Sequence, residues 1–101
     1  SKSMGQDVEI KDTVAMGEIL IIDTDRSFTG QDGQTITSDS GGHGVPGVLA
    51  DRLFALDVGI NHVFVLQNTI TLRRPGGWDE DSAGAVSDVT QTFLRYYDEE
   101  E

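Results

Sequence analysis

The segment from residue 47 to residue 72 limits the possible folds of this chain more than any other stretch. Its first part predicts a short helix that ends near Ala55, because the apolar residues recur at helical spacing and form one stripe. Residues 62–66 and 69–73 then form two strand-like runs. The Gln67-Asn68 pair between them predicts a tight hairpin turn, since Asn tolerates left-handed backbone angles. The residues of the helical stripe are Val48, Leu49, Leu53 and Leu56.

The residues before this segment predict further strands. Residues 7–11 alternate between polar and apolar side chains, which is the period of a half-buried strand. Residues 19–22 are a continuous, β-branched apolar run, which favours a buried central strand. Residues 29–33 contain Asp-Gly and predict a turn, and residues 34–37 predict a short outer strand.

The remaining elements are a loop and a second helix. Residues 38–47 are rich in glycine, and Pro46 fits the first turn of the helix that follows. Gly59 suits the C-terminal cap region of that helix. Asp79 or Asp81 is expected to cap the last helix, which Gly84 weakens. The residues of this last helix expected to face the sheet are Val86, Val89, Phe93, Leu94 and Tyr97.

The order of strands, helix, hairpin and helix predicts an α+β fold. We expect a mainly antiparallel sheet of four to five strands with two helices packed on one face. The length of 101 residues fits one domain, with residues 1–6 disordered and an ordered core of about residues 7–97.

The charge of the chain limits its partners. Eighteen acidic and seven basic residues give a formal net charge of −11. This disfavours binding to nucleic acid or to an anionic membrane, because both need a basic surface. Adaptation to high salt or an ordinary acidic domain with an acidic tail would each explain the excess of carboxylates. We expect a monomer that binds neither nucleic acid nor membrane.

The chain contains no cysteine, so it forms no disulfide and shows no sign of an oxidising compartment. No apolar run approaches the ~20 residues of a membrane-spanning helix, and the N-terminus has no signal-peptide pattern. We therefore expect a cytoplasmic protein.

The glycine-rich loop is one candidate for chemistry. Residues 41–44 with Gly47 precede a helix and could hold a phosphate on free N–H groups, but they match no phosphate-binding fingerprint. The alternative is a flexible surface loop. Ser38 and Ser40 lie near His43, but no nucleophile elbow surrounds them. We expect no catalytic residues and no enzymatic activity.

The two histidines are a second candidate. His43 and His62 could bind a metal if Asp39 or Asp57 joined them. The sequence does not bring a loop histidine and a strand histidine together, so two unrelated histidines are the alternative. We expect no resident metal and no cofactor.

A third candidate is the basic and aromatic cluster that consists of Arg73, Arg74 and Trp78. Arginine and tryptophan are enriched at the energetic centres of protein interfaces, so these residues predict a partner-binding surface. In the alternative, Trp78 packs as a lid on the core, and the arginines pair with acids across the sheet edge.

Several motifs together resemble the N-terminal domain of the Nfu/NifU-like iron–sulfur scaffold proteins. Val48-Leu49-Ala50 and Leu53-Phe54 resemble that family's helix, and residues 62–65 and 68–72 resemble its hairpin. Trp78-Asp79 matches the Trp-Asp that opens its last helix. The resemblance spans residues 7–97. The chain departs from the family at residues 13–16, where Thr-Val-Ala-Met replaces Thr-Pro-Asn-Pro.

The resemblance implies a function without cluster ligands. The family binds its cluster through a separate C-terminal domain with a Cys-x-x-Cys motif, and thiolates are the ligands that hold such clusters. This chain has no cysteine. The resemblance therefore implies a non-catalytic accessory module that binds a protein partner in iron–sulfur cluster assembly. The alternative is a small metal- or ligand-binding protein that uses His43 and His62.

Overall fold

A single antiparallel sheet forms the centre of the fold in the computed structural model, which describes residues 8–29, 32–39 and 41–99. The strand order is β1-β2-β5-β4-β3, and every neighbouring pair is antiparallel. The five strands and two helices of the described residues confirm the α+β class. The elements are β1 (Ile10–Met16), β2 (Ile19–Thr24), β3 (Gln34–Thr37), α1 (Gly44–Ala55), β4 (His62–Leu66), β5 (Thr69–Arg73) and α2 (Glu80–Glu99).

The core lies between one face of this sheet and the two helices. Alternate residues of β2, β4 and β5 are buried, as the two-residue period of a strand requires when one face is covered. The helices contribute Leu49, Leu53, Val86 and Phe93 to the same cluster, and Val89 packs against it. The side chains of Leu94 and Tyr97 lie outside the described part of the chain. The buried strand residues are Leu20, Ile22, Ile36, Val63, Val65, Ile70 and Leu72.

The first strand differs from the sequence-based prediction. It runs over Ile10–Met16 rather than residues 7–11, and it pairs with β2 across a two-residue turn. Gly17 makes that turn possible with a φ of +59°. Val8 belongs to the alternating segment but lies before the strand. It is buried for another reason, because it packs beside α2 and donates its N–H to the Gln91 carbonyl at 2.8 Å. Asp7 lies outside the described residues.

The hairpin between β4 and β5 has the predicted bounds, but its turn works differently. Gln67 takes the positive φ of 53°, not Asn68. Asn68 instead joins the turn to β2: its side-chain amide donates to the Thr24 carbonyl, and its own carbonyl accepts the Thr24 N–H, both at 2.9 Å. The asparagine therefore serves a tertiary contact, which the local sequence pattern does not reveal.

The helix α1 ends at Ala55, as predicted, but its start and the residues after its end differ in detail. It begins at Gly44, within the stretch predicted as a loop, with Pro46 in its first turn. After Ala55, Asp57 takes a positive φ of 58°, and Gly59 follows with a φ of 95°. The left-handed residue nearest the helix end is therefore an aspartate. Of the predicted turn at 29–33, residues 30 and 31 lie outside the described part.

Two glycines of the helices have opposite environments. A Cβ on Gly47 would lie 2.6 Å from the carbonyl carbon of Gly42 and 2.9 Å from its oxygen. A Cβ on Gly84 would meet no atom within 4 Å. Gly47 is therefore required for the approach of the loop to α1, whereas Gly84 only loosens α2.

We expect Gly47→Ala to lower the free energy of unfolding by about 1–3 kcal/mol, because overpacking forces backbone atoms apart. The matched Gly84→Ala variant should raise it by about 0.5–1 kcal/mol, because alanine loses less backbone freedom in a helix. Urea unfolding followed by circular dichroism measures both changes. Equal stability of the two variants would contradict the proposed role of Gly47.

Candidate functional site

The three residues predicted to bind a partner lie around Glu18, in a region we call the Glu18 corner (Glu18, Arg73, Arg74 and Trp78). Glu18 stands in the turn between β1 and β2, and Arg73 is the last residue of β5, which pairs with β2. Arg73 contacts Glu18 Oε1 with its Nε at 3.1 Å and its Nη2 at 2.9 Å. Both side chains are exposed, so this pair stabilises the fold by no more than about 1 kcal/mol.

Arg74 and Trp78 use their polar groups within the fold. Arg74 donates from Nε to the Val58 carbonyl and from Nη1 to the Gly77 carbonyl, both at 2.6 Å. Trp78 donates from Nε1 to the Glu18 carbonyl at 2.8 Å, and its ring packs against the core. These contacts fit the alternative in which the cluster is structural. Partner binding by the cluster stays a prediction.

The N-terminus of α2 follows this corner and is capped by Asp79, one of the two predicted caps. Ser82 donates its backbone N–H and its hydroxyl to Asp79 Oδ1, both at 2.8 Å. The Asp79 N–H donates in return to Ser82 Oγ at 3.1 Å, which makes a reciprocal cap. The backbone hydrogen bond from Ser82, and then its side-chain bond, hold the pKa of the Asp79 carboxyl below its ordinary value of 3.8.

The two histidines lie near opposite ends of β3. The Gln34 side chain binds the His43 backbone at one end, accepting its N–H at 3.1 Å and donating to its carbonyl at 3.0 Å. His62 pairs with Thr37 at the other end. Three residues of strand span about 10 Å, so the fold does not bring the histidines together. No group of three metal-ligating side chains occurs within the described ranges.

The glycine-rich loop packs closely against the sheet and the first helix. A Cβ on Gly42 would lie 2.7 Å from atoms of both Gln34 and Ile36. Two amides that a phosphate cradle would need are already bonded, since His43 donates to Gln34 and Gly47 donates to the His43 carbonyl at 3.3 Å. The contacts therefore favour a structural loop. Ser40, one of the two candidate nucleophiles, lies outside the described residues.

The uncovered face of the sheet is a candidate surface that the sequence analysis missed. We call it the open face. Its apolar residues include Val14 and Met16 on β1, which are 41% and 58% exposed, and Phe64 and Leu66 on β4, each 37% exposed. Strand pairing places all four on one side, opposite to the helices. The alternation of side chains along the strands could have predicted which residues share this face. It could not have predicted that no element of the described chain covers them.

The outer edge of β1 is protected against further strand pairing. Edge strands leave alternate N–H and C=O groups unpaired, and charged side chains are one way to block them. Here the Asp12 carboxylate accepts the N–H of Thr13 at 3.0 Å. A register shift between Ile10 and Asp12 further interrupts the strand. The open face is therefore more available to a partner than this edge.

Comparisons of the chain with protein-family models, curated proteins and solved structures gave no match. The resemblance to the Nfu/NifU-like N-terminal domain therefore stays a hypothesis that depends on the residues quoted above. Within the residues that the structure describes, no helix is long and apolar enough to cross a membrane.

The contacts predict different roles for the two arginines of the Glu18 corner. Arg74→Lys should lower the free energy of unfolding by about 1–3 kcal/mol, because one ammonium group cannot replace a guanidinium that reaches two carbonyls. The matched Arg73→Lys variant should change it by less than about 1 kcal/mol, because lysine can still pair with an exposed carboxylate. Urea unfolding provides the measurement. Equal losses would show that Arg74 is not a structural residue.

The Asp79 cap predicts a pH dependence of stability. Because its pKa is lower in the folded than in the unfolded chain, the carboxylate stabilises the fold above pH 3.8. This contribution is lost as the pH falls through the lower, folded-state pKa. Asp79→Asn should therefore be less stable than the wild type near neutral pH, and the difference should disappear in acid. Urea unfolding at a series of pH values measures it; a difference independent of pH would contradict the assignment.

Proposed function

We propose that this chain is a non-catalytic protein-interaction module that acts in iron–sulfur cluster assembly without cluster ligands of its own. The observation that carries the proposal is the open face, where Val14, Met16, Phe64 and Leu66 are exposed on one surface. Apolar side chains exposed together on one face of a folded domain are typical of interaction sites, because their burial against a partner is favourable.

The charge of the chain supports a protein as the partner. A net charge of −11 repels nucleic acid and anionic lipid, and it favours partners with basic residues beside an apolar patch. We propose that the module acts as a monomer in the cytoplasm. Electrostatic repulsion between two such chains opposes self-association.

The link to iron–sulfur assembly depends on the resemblance of the helix, the hairpin and the Trp78-Asp79 pair to the Nfu/NifU-like domain. In such a role, thiolates of the partner or of another domain would hold the cluster, and this module would provide the contact. The metal-binding alternative has less support, because His43 and His62 lie near opposite ends of β3.

The proposal predicts direct binding to a protein of this pathway. We would immobilise the chain and add, in turn, purified cysteine desulfurase, scaffold and cluster-carrier proteins while recording biolayer interferometry. We expect saturable binding to at least one of them, with a dissociation constant in about the micromolar range. Binding to none of the three would contradict the proposed function.

A pair of variants tests the surface in the same assay. Phe64→Ser combined with Leu66→Ser should weaken the binding, because it removes apolar area from the open face. The control combines Asp51→Ser with Ala55→Ser at exposed positions of α1, and it should bind like the wild type. Equal binding by both variants would show that the partner contacts another surface.

A further inference from the structure

The open face contains a shallow trough along β5. Its floor consists of Thr69 and Thr71, whose side chains are short. Thr71 lies directly between Ile21 on β2 and Phe64 on β4, which are larger. We call this feature the β5 trough and define it by its floor, Thr69 and Thr71, and its walls, Ile21, Phe64 and Leu66.

The β5 trough fits the side chains of one helical stripe. The strands that carry its walls are each one spacing away from β5, so their axes lie about 9.5 Å apart and the gap between the wall side chains is narrower. An α-helix with its side chains is about 10–12 Å across, so it would rest on the walls and reach the threonine floor with the side chains of one stripe. From this geometry we propose that the β5 trough seats an amphipathic helix of a partner protein, which presents its apolar stripe to the floor and a basic end to Asp12 and Asp23.

The charges at the two ends of the β5 trough give the helix a direction. At one end Arg73 is already paired with Glu18. At the other end Asp23 lies on β2 beside Thr69 and accepts a hydrogen bond from its hydroxyl at 2.8 Å, and Asp12 lies directly opposite Asp23 on β1, outside the trough. Like charges in that position are destabilising. One lysine or arginine of a partner between these carboxylates would relieve the repulsion. The basic residues of the helix therefore belong at the Asp12–Asp23 end.

Other occupants fit these observations less well. A second copy of the chain would add another net charge of −11 and a second pair of aspartates at the interface. An added strand at β1 would have to displace the Asp12 carboxylate from the Thr13 N–H. An anionic membrane would face the same carboxylates. The second copy and the added strand are distinguishable outcomes of the experiment.

The inference rests on the proposed function for the existence of a partner, but it can be tested with model peptides. We would titrate the isotope-labelled chain with a peptide of leucine and lysine, about 14 residues or roughly four turns long, whose leucines recur at helical spacing. A second peptide has the same composition with alternating leucine and lysine, which favours a strand. A third has glutamate in place of lysine.

We expect the helical basic peptide to shift the amide resonances of β5 and its two neighbours, and to bind at least tenfold more tightly than the other two peptides. Shifts confined to β1 with the strand-like peptide would overturn the inference in favour of strand addition. Shifts on α1 and α2 only would also overturn it. A concentration-dependent doubling of molecular mass in light scattering would also overturn the inference, because the occupant would then be a second copy of the chain.

Two sets of variants locate the contact. Thr71→Tyr fills the floor with a residue that favours strands, and it should weaken binding at least tenfold. Asp12→Asn with Asp23→Asn should weaken it about fivefold at low salt. The matched control, Asp51→Asn with Asp88→Asn, changes the net charge equally on the helices and should have less than about a twofold effect. Equal losses of affinity in the two double aspartate variants would show that the peptide is attracted by the overall charge of the chain. Binding would then not depend on a site at Asp12 and Asp23.

The results separate this inference from the proposed function. Binding of the helical peptide in the β5 trough, without binding of any iron–sulfur assembly protein, would support the inference and contradict the proposed pathway. Binding of such a protein that is insensitive to Thr71→Tyr would support the proposed function and overturn the inference.

Discussion

The pairing of β2 with β5 is the interaction on which the rest of the structure depends. It joins the N-terminal hairpin to the C-terminal one, although the paired residues are about fifty positions apart in the chain. On the covered side it places Leu20 against Leu72 and Ile22 against Ile70, all of them buried. Both helices contribute residues to the same buried cluster, so their packing depends on the same register.

Polar contacts hold this central pair at both ends. At one end, Thr24 and Asn68 exchange backbone and side-chain hydrogen bonds. At the other end, the Glu18 carbonyl accepts the Arg74 N–H at 2.9 Å and the Trp78 indole N–H at 2.8 Å. A one-residue slip would break both sets of bonds and turn the apolar residues to the wrong face. The basic and aromatic cluster thus has a structural use that explains its occurrence in an acidic chain.

The parts of the fold that could be predicted from sequence are those that depend on local patterns. The hairpin of residues 62–73 was predicted with its observed bounds, because its alternation and its short turn lie within one stretch. The first strand was misplaced, because its bounds depend on its pairing with β2 across the turn at Gly17. They do not depend on the alternation of polar and apolar residues. The roles of Arg74 and Trp78 could not be predicted, because their shared partner is Glu18, more than fifty positions earlier in the chain.

The open face depends on the same constraint as the core. Because side chains alternate along a strand, the register that buries Ile70 and Leu72 also places Thr69 and Thr71 on the opposite side. The helices cover only one face of the sheet. The side chains of the open face are therefore not needed for the core and can contact a partner. Short threonines on the central strand, with Ile21 on one neighbouring strand and Phe64 and Leu66 on the other, create relief that a uniformly polar face would lack. Stability and recognition are therefore encoded in alternate residues of the same strands, and substitutions on one side can leave the other intact.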